Sequence, residues 1–234
     1  RINCGNDTSG CYELIVDRPQ SLKLCRNWDA LNGVSTGDLV TIQRHLLDLE
    51  VFTHPLQHLA ADCNNTGTVS AGDISTLRKL ILGVIADFRD FNLESWIFVR
   101  EIDSLNYSTD LSFNDTLNCP ENTDVIAVKM GDVNDLPGIR GGVTRGNISP
   151  VVRARNTENG IEFIASESFQ LSAIEIGLTV DADFFSVVNG VVPIEENHFH
   201  YNGKRLKVSW NDPLGQCIWV NQGDVLLTVN GLKT

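Results

Sequence analysis

The twelve residues Asp62-Cys-Asn-Asn-Thr-Gly-Thr-Val-Ser-Ala-Gly-Asp73 constrain this chain more than any others. Asp62, Asn64 and Thr66 alternate along a polar loop, Gly67 follows, and Asp73 closes the twelfth position. A calcium loop offers its oxygens in this order: side chains at positions 1, 3 and 5, a Gly for the sharp turn at 6, and a backbone carbonyl at 7, here Thr68. Ser70 at position 9 acts through water in such a scheme, and a carboxylate belongs at 12. Asp73 is one methylene shorter than the usual Glu, so a bidentate reach requires a tighter approach.

A shadow of this segment lies upstream. In Asn27-Trp-Asp-Ala-Leu-Asn-Gly-Val-Ser-Thr-Gly-Asp38, the residues Val34, Ser35, Gly37 and Asp38 match Val69, Ser70, Gly72 and Asp73. The apolar residues that follow correspond too: Leu39, Ile42, Leu46 and Leu47 against Ile74, Leu77, Ile81 and Leu82. A duplicated half-unit needs its twin to bury an apolar face. The ligand positions of this first loop are Asn27, Asp29, Leu31, Gly33 and Asp38, a poorer set, because Leu31 has no side-chain oxygen and the glycine has slipped by one position. A plain alternative exists for both halves: Ser35-x-x-Asp38 and Ser70-x-x-Asp73 also read as capping boxes that need no metal. Asp132 and Asn134, with Asp135, form a further oxygen cluster, which reads as a third calcium site, as a contribution to an earlier one, or as a solvated turn.

With 234 residues the chain is long enough for two modest domains. A net charge of −12 argues against nucleic acid, whose phosphates it would repel, and suits a calcium binder. No apolar run approaches the roughly 20 residues of a membrane span. The six cysteines, Cys4, Cys11, Cys25, Cys63, Cys119 and Cys217, include no Cys-x-x-Cys pair. They point to disulfides in an oxidised, exported protein rather than to zinc. Cys4 with Cys11 is the expected local pair, and the near two-fold relation of the loops places Cys25 near Cys63. Without an initiator Met or signal peptide, the chain reads as a piece of a longer polypeptide.

In chain order, residues 1–24 read as a strand and disulfide segment that either closes a preceding domain or pads this one. Residues 25–135 form the calcium-loop module with a loop-rich extension. Within it the first helix runs to about Leu49, Val51 to His58 makes a turn, and the second helix finishes near Ala86. Residues 136–146 form a Pro/Gly linker, and residues 147–234 form a β-sandwich. About eight strands fall in this last part, with primed turns expected at Asn159-Gly160 and Asn202-Gly203. Trp210 and Trp219 are assigned to its core, although with Trp96 and Tyr201 they offer a sugar-stacking alternative. His198 and His200 share a strand face without an acidic partner, and no nucleophile motif or phosphate-cradling glycine loop is present. The residues supply no catalytic site, and none is expected.

The tandem loops, each followed by one helix, resemble the dockerin family over roughly Cys25 to Phe88. Asn32-Gly-Val-Ser-Thr-Gly-Asp-Leu-Val40, Arg78-Lys-Leu-Ile-Leu-Gly83 and Met130-Gly-Asp-Val-Asn134 are similar to a branch found in large surface proteins of Gram-negative bacteria that export cargo through a C-terminal sorting domain. The second part resembles a cohesin-like or carbohydrate-module sandwich in Ala173 to Val180, Leu206 to Asn211 and Gly223 to Val229. The resemblance implies an α+β multidomain fold, with a tandem calcium-loop/helix module beside an antiparallel β-sandwich. It implies Ca2+ as cofactor and an extracellular or cell-surface location. The expected function is a non-catalytic, calcium-stabilised structural or adhesive segment, in which neighbouring domains pack together or copies self-assemble. The alternative is a recognition module that anchors a larger protein to a cohesin-type partner in a polysaccharide-degrading assembly. Thr36-Gly37 and Ala71-Gly72 stand where that family often carries a hydroxyl pair for cohesin.

Overall fold

The computed structural model describes residues 2–3, 13–14, 29–103, 106–109, 125–134, 151–180 and 185–231. Asn27, Cys4, Cys11, Cys25, Cys119, Asp135, most of residues 1–24 and the expected linker at 136–146 lie outside the described residues.

Three helices are formed: α1 (Thr36–Leu46), α2 (Pro55–Ala61) and α3 (Ala71–Leu82). Ser35 and Ser70 sit at the N-caps of α1 and α3 in extended backbone, and Asp38 and Asp73 reach back to their amides at 2.8 Å each. This closes one orphan donor at each helix start. Gly83 stops α3 in the left-handed region (φ 77°), where Val84 N–H bonds the Lys79 carbonyl at 2.8 Å. Leu39 and Ile42 of α1, and Leu77, Leu80 and Ile81 of α3, fall at helical spacing and are buried together with Leu56, Phe88, Val128 and Met130. The helix α2 replaces the turn expected between Val51 and His58. His54 caps it through Nδ1, which accepts from Leu56 N–H, and Pro55 starts it where a missing N–H costs nothing.

The strands are short and antiparallel. β1 (Ile2–Asn3) pairs with β2 (Glu13–Leu14). β3 (Trp96–Asp103) lies between β4 (Asn106–Ser108) and β5 (Val125–Lys129), with Trp96 opposite Lys129. The later strands are β6 (Val152–Thr157), β7 (Gly160–Ala165), β8 (Phe169–Leu171), β9 (Ala173–Thr179), β10 (Ser186–Asn189), β11 (Phe199–Tyr201), β12 (Arg205–Asn211), β13 (Ile218–Val220) and β14 (Val225–Asn230). They form sheets in the orders β10-β14-β7-β6, β11-β12-β9 and β13-β8. Phe163, Leu206, Val208, Trp210, Leu226 and Leu227 from these sheets meet in one core.

This corrects the expected α+β fold with a tandem calcium-loop/helix module beside a β-sandwich. Among the described residues strands dominate, in small antiparallel sheets, and only three short helices are present. No tandem helix–loop module stands by itself. Helices of 11, 7 and 12 residues fall at or below the ~12–15 that are marginal alone, so they depend on the strands that cover them. Three smaller expectations also change. Trp219 is 60% exposed rather than core, although Trp210 is buried. The first hairpin turn centres on Glu158-Asn159, neither of which is left-handed, and Gly160 is needed because a Cβ there would lie 1.9 Å from the Val229 carbonyl oxygen. The second turn centres on Gly203-Lys204 with only Gly203 left-handed (φ 87°), the II′ pattern.

Helices α1 and α3 lie against β9 and β12. Along β12 the period of two sends Leu206, Val208 and Trp210 into the strand core, and Lys207, Ser209 and Asn211 towards the helices. The seam is polar. Glu175 Oε2 accepts from Thr36 N–H at 3.1 Å and from Thr36 Oγ1 at 3.0 Å. The threonine's single proton is thereby used, so Ser209 Oγ, 2.9 Å away, donates to Thr36 Oγ1. Arg78 donates to Asn211 Oδ1 at 2.5 Å, Asn211 Nδ2 to Gln43 Oε1, and Lys207 Nζ to the Ile81 carbonyl at 2.8 Å. Thr36→Val keeps the shape and leaves the fully buried Ser209 hydroxyl without its acceptor. Chemical denaturation should show a loss of about 1–3 kcal/mol, with Thr36→Ser close to wild type.

Candidate metal loops

The second loop closes on itself before any cation is considered. Asp62 Oδ1 accepts from Thr66 N–H at 2.9 Å and Oδ2 from Gly67 N–H at 2.7 Å, which folds positions 5 and 6 back over position 1. Asn65 (φ 58°) and Gly67 (φ 84°) supply the left-handed backbone that this turn requires. Thr66 Oγ1 donates to the Thr68 carbonyl at 3.2 Å. Asp73 is fully buried, and it accepts from Asn64 N–H through Oδ1 at 3.1 Å and from Ser70 N–H and Oγ through Oδ2. These bonds fold Asp62, Asn64, Thr66, Thr68 and Asp73 into one closed loop.

One atom in this loop lacks a partner. Asn64 Oδ1 is buried from solvent and accepts no hydrogen bond. A buried amide oxygen left in this state costs about 1–3 kcal/mol, and a hard cation is the acceptor-seeking group that relieves it. Gly72 stands across from this side chain, where a Cβ would come within 2.9 Å of Asn64 Nδ2. The residues present therefore fit a calcium ion. Asp62, Asn64, Thr66, the Thr68 carbonyl and Asp73 would hold it, and its contribution there is charge and crosslinking. Among the described residues no group of three or more His, Cys, Asp or Glu side chains is placed to hold a metal.

The first loop is built differently. Asp29 is exposed and left-handed (φ 60°), and Leu31 is 39% exposed. Asp38 is 1% exposed, and both its oxygens are taken twice. Oδ2 accepts from Ser35 N–H at 2.8 Å and Oγ at 3.2 Å, and Oδ1 accepts from Val133 N–H and Asn134 Nδ2 at 3.0 Å each. Asn134 Oδ1 in turn accepts from Thr41 Oγ1 at 2.7 Å. Asp132 is buried against Gly33, where a Cβ would fall 2.0 Å from its Oδ2. The cluster of Asp132 and Asn134 is thus part of the first loop's surroundings and not a third centre of its own. Lys129, 4% exposed, donates through Nζ to the Ala30 and Met130 carbonyls at 2.8 Å each. Among the described residues of this loop no buried side-chain oxygen matches the unpartnered one of Asn64, and they do not fit a calcium ion.

The electrostatics follow from burial. Desolvation pushes the Asp38 carboxyl up to about 7, with Asp132 adding to the rise and the Ser35 and Val133 amides opposing it. Desolvation pulls the Lys129 ammonium down to about 8, while the Asp132, Asp29 and Asp38 carboxylates hold it up. The ammonium is therefore charged at neutral pH. Cys63 is fully buried with its thiol pKa pushed far up by burial, and Cys217 is exposed. Both are free thiols, which corrects their expected place in disulfides. The histidine pair is not a metal face, because His198 sits in a 3-10 turn with Nδ1 accepting from Glu195 N–H at 3.0 Å. Two features escape the sequence reading: Lys129 as a buried ammonium and the Glu175–Thr36–Ser209 seam. Neither follows a local pattern, and only the alternation along β12 hints at the second.

The chain matches no protein-family model, no curated protein and no solved structure.

The Asp38 value yields a test in pH. A carboxyl whose folded pKa stands above its unfolded 3.8 binds its proton more tightly when folded. Its stabilising share is full below the unfolded value and is lost as pH rises through about 7. In chelator, the stability of wild type minus that of Asp38→Asn should therefore grow as pH falls from 7 to 4, by on the order of 4 kcal/mol at most. Urea titrations at each pH measure it, and a flat difference would contradict the environment described for Asp38.

Proposed function

We propose that this chain is a non-catalytic, calcium-stabilised structural segment of an exported or cell-surface protein. The observation that carries the reading is Asn64 Oδ1, buried without a partner inside a turn of five oxygen-bearing residues. Calcium bound there ties Asp62, at the end of α2, to Asp73, in the first turn of α3. Binding to the folded state alone adds stability by mass action, which short helices need. The net charge of −12 suits a cation ligand.

A structural role is favoured over an anchoring one by what covers the helices. Ile42, Leu77 and Ile81 are buried within this chain, and Leu46 is 37% exposed. The polar edge of α1 and α3 is spent on β9 and β12. An anchoring module would keep a helix face open for a partner on another protein. The strand-rich remainder suits packing against neighbouring domains or copies of the chain.

Thermal unfolding with calcium and with chelator tests the reading. At calcium about 100-fold above Kd the gain is ~2.7 kcal/mol, or roughly 5–10 °C for a chain of this size. Asn64→Ala should abolish that gain while leaving the melting temperature in chelator unchanged or slightly raised. Equal melting temperatures for wild type with and without calcium would sink the proposal.

A further inference from the structure

The two loops share a sequence pattern and differ in what fills them. At the second, an amide oxygen waits without a partner. At the first, an ammonium is already in place. Lys129 lies on β5, opposite Trp96, with its Nζ 6.0 Å from the Trp96 ring centroid. Two of its three protons go to backbone carbonyls, Ala30 within the first loop and Met130 at the end of β5. Carbonyl oxygens are what a loop offers a hard cation, and here they accept from a nitrogen instead. Asp132 after β5, Asp29 in the loop and Asp38 in α1 each favour the charged form of this group. Asp38 has no acceptor position left for a metal, since four donors already occupy its two oxygens. Leu31 brings no side-chain oxygen.

We propose that the first loop takes no metal, and that the Lys129 ammonium stands in for the cation, binding the Ala30 and Met130 carbonyls and balancing the buried Asp38 and Asp132. The chain then carries one calcium loop and one loop with a built-in cation. The first half is stable without calcium, and only the second half answers to it. This rests on the calcium reading of the second loop for that contrast alone.

The experiment uses the full chain with Asn64→Ala, so that calcium itself probes only the first loop. With Lys129 present, raising calcium to about 10 mM, above the weakest natural sites, should move the melting temperature by less than about 1 °C. Adding Lys129→Met should lower it in chelator by at least about 5 °C relative to the exposed control Lys79→Met, since two buried carboxylates lose their counter-charge. Asp132→Asn, which removes one of the two carboxylates left without counter-charge, should then restore at least half of that loss.

Three results would each overturn the proposal. The first is a calcium response in Asn64→Ala that Asp38→Asn removes, because the first loop is then a metal site. The second is Lys129→Met melting with the control. The third is a loss that Asp132→Asn leaves untouched, which makes Lys129 a packing stem. If Lys129→Met does not fold, the calcium titration of Asn64→Ala decides alone. Failure of the second-loop reading shows separately, as a wild type indifferent to calcium.

Discussion

The carboxylate of Asp38 is the point on which the first half of the molecule turns. It sits three residues into α1, and through one oxygen it closes the helix start at Ser35. Through the other it holds Val133 and Asn134, residues distant in sequence that follow β5. A helix of 11 residues and a strand of five are thereby joined by one buried side chain. Burial of such a charge is unfavourable unless donors and a counter-charge accompany it. The close fit of Gly33 against Asp132, and of Gly131 against Leu77, follows from this requirement, since a Cβ at either glycine would collide with the side chain that seals the joint.

The same logic explains why the joint to the strand-rich half is polar. A sheet with one face in a core alternates apolar and polar residues, and β12 does so without exception from Leu206 to Asn211. Read alone, Lys207, Ser209 and Asn211 belong to a solvated face. They are instead matched by Ile81, Thr36, Gln43 and Arg78, so that polar groups removed from water find partners. Interfaces of this kind gain little from apolar area and much from register. A shift by one residue along β12 would present Leu206, Val208 and Trp210 to Thr36 and Arg78.

Local patterns were legible in the sequence and long-range ones were not. Ser35 and Ser70 with their aspartates marked the starts of α1 and α3, because a capping box is written within four residues. Turn signals and short apolar runs marked the last part as strand-rich. The helix α2 was missed because Pro55 after His54 was read as a turn, when Pro at the first helical position is also a start signal and Gln57 completes its cap. Trp219 was assigned to the core by size, yet its strand has only three residues and its outer side faces solvent. The fold class failed for a related reason: the motif at each loop describes one turn and one helix, and nothing within it records that strands supply the covering surface. The partnership of Asp132 with Gly33, and of Lys129 with Ala30, spans about a hundred residues and leaves no periodic trace.

The two loops share one pattern and differ in what surrounds it. Both place an aspartate at the twelfth position, both bury it, and both use it to cap a helix. The difference lies in what else converges there. Asp73 accepts from three donors, all within its own loop, and an amide oxygen beside it stays unmatched. Asp38 accepts from four, two of them contributed by a segment from beyond β5, and that segment arrives with Asp132 and follows directly on Lys129. Once a lysine delivers a positive charge to the interior, a second cation adds repulsion where a first added attraction. Loss of the side-chain oxygen at Leu31 then carries no penalty. A first loop poorer in side-chain oxygens is therefore the expected companion of a buried Lys129.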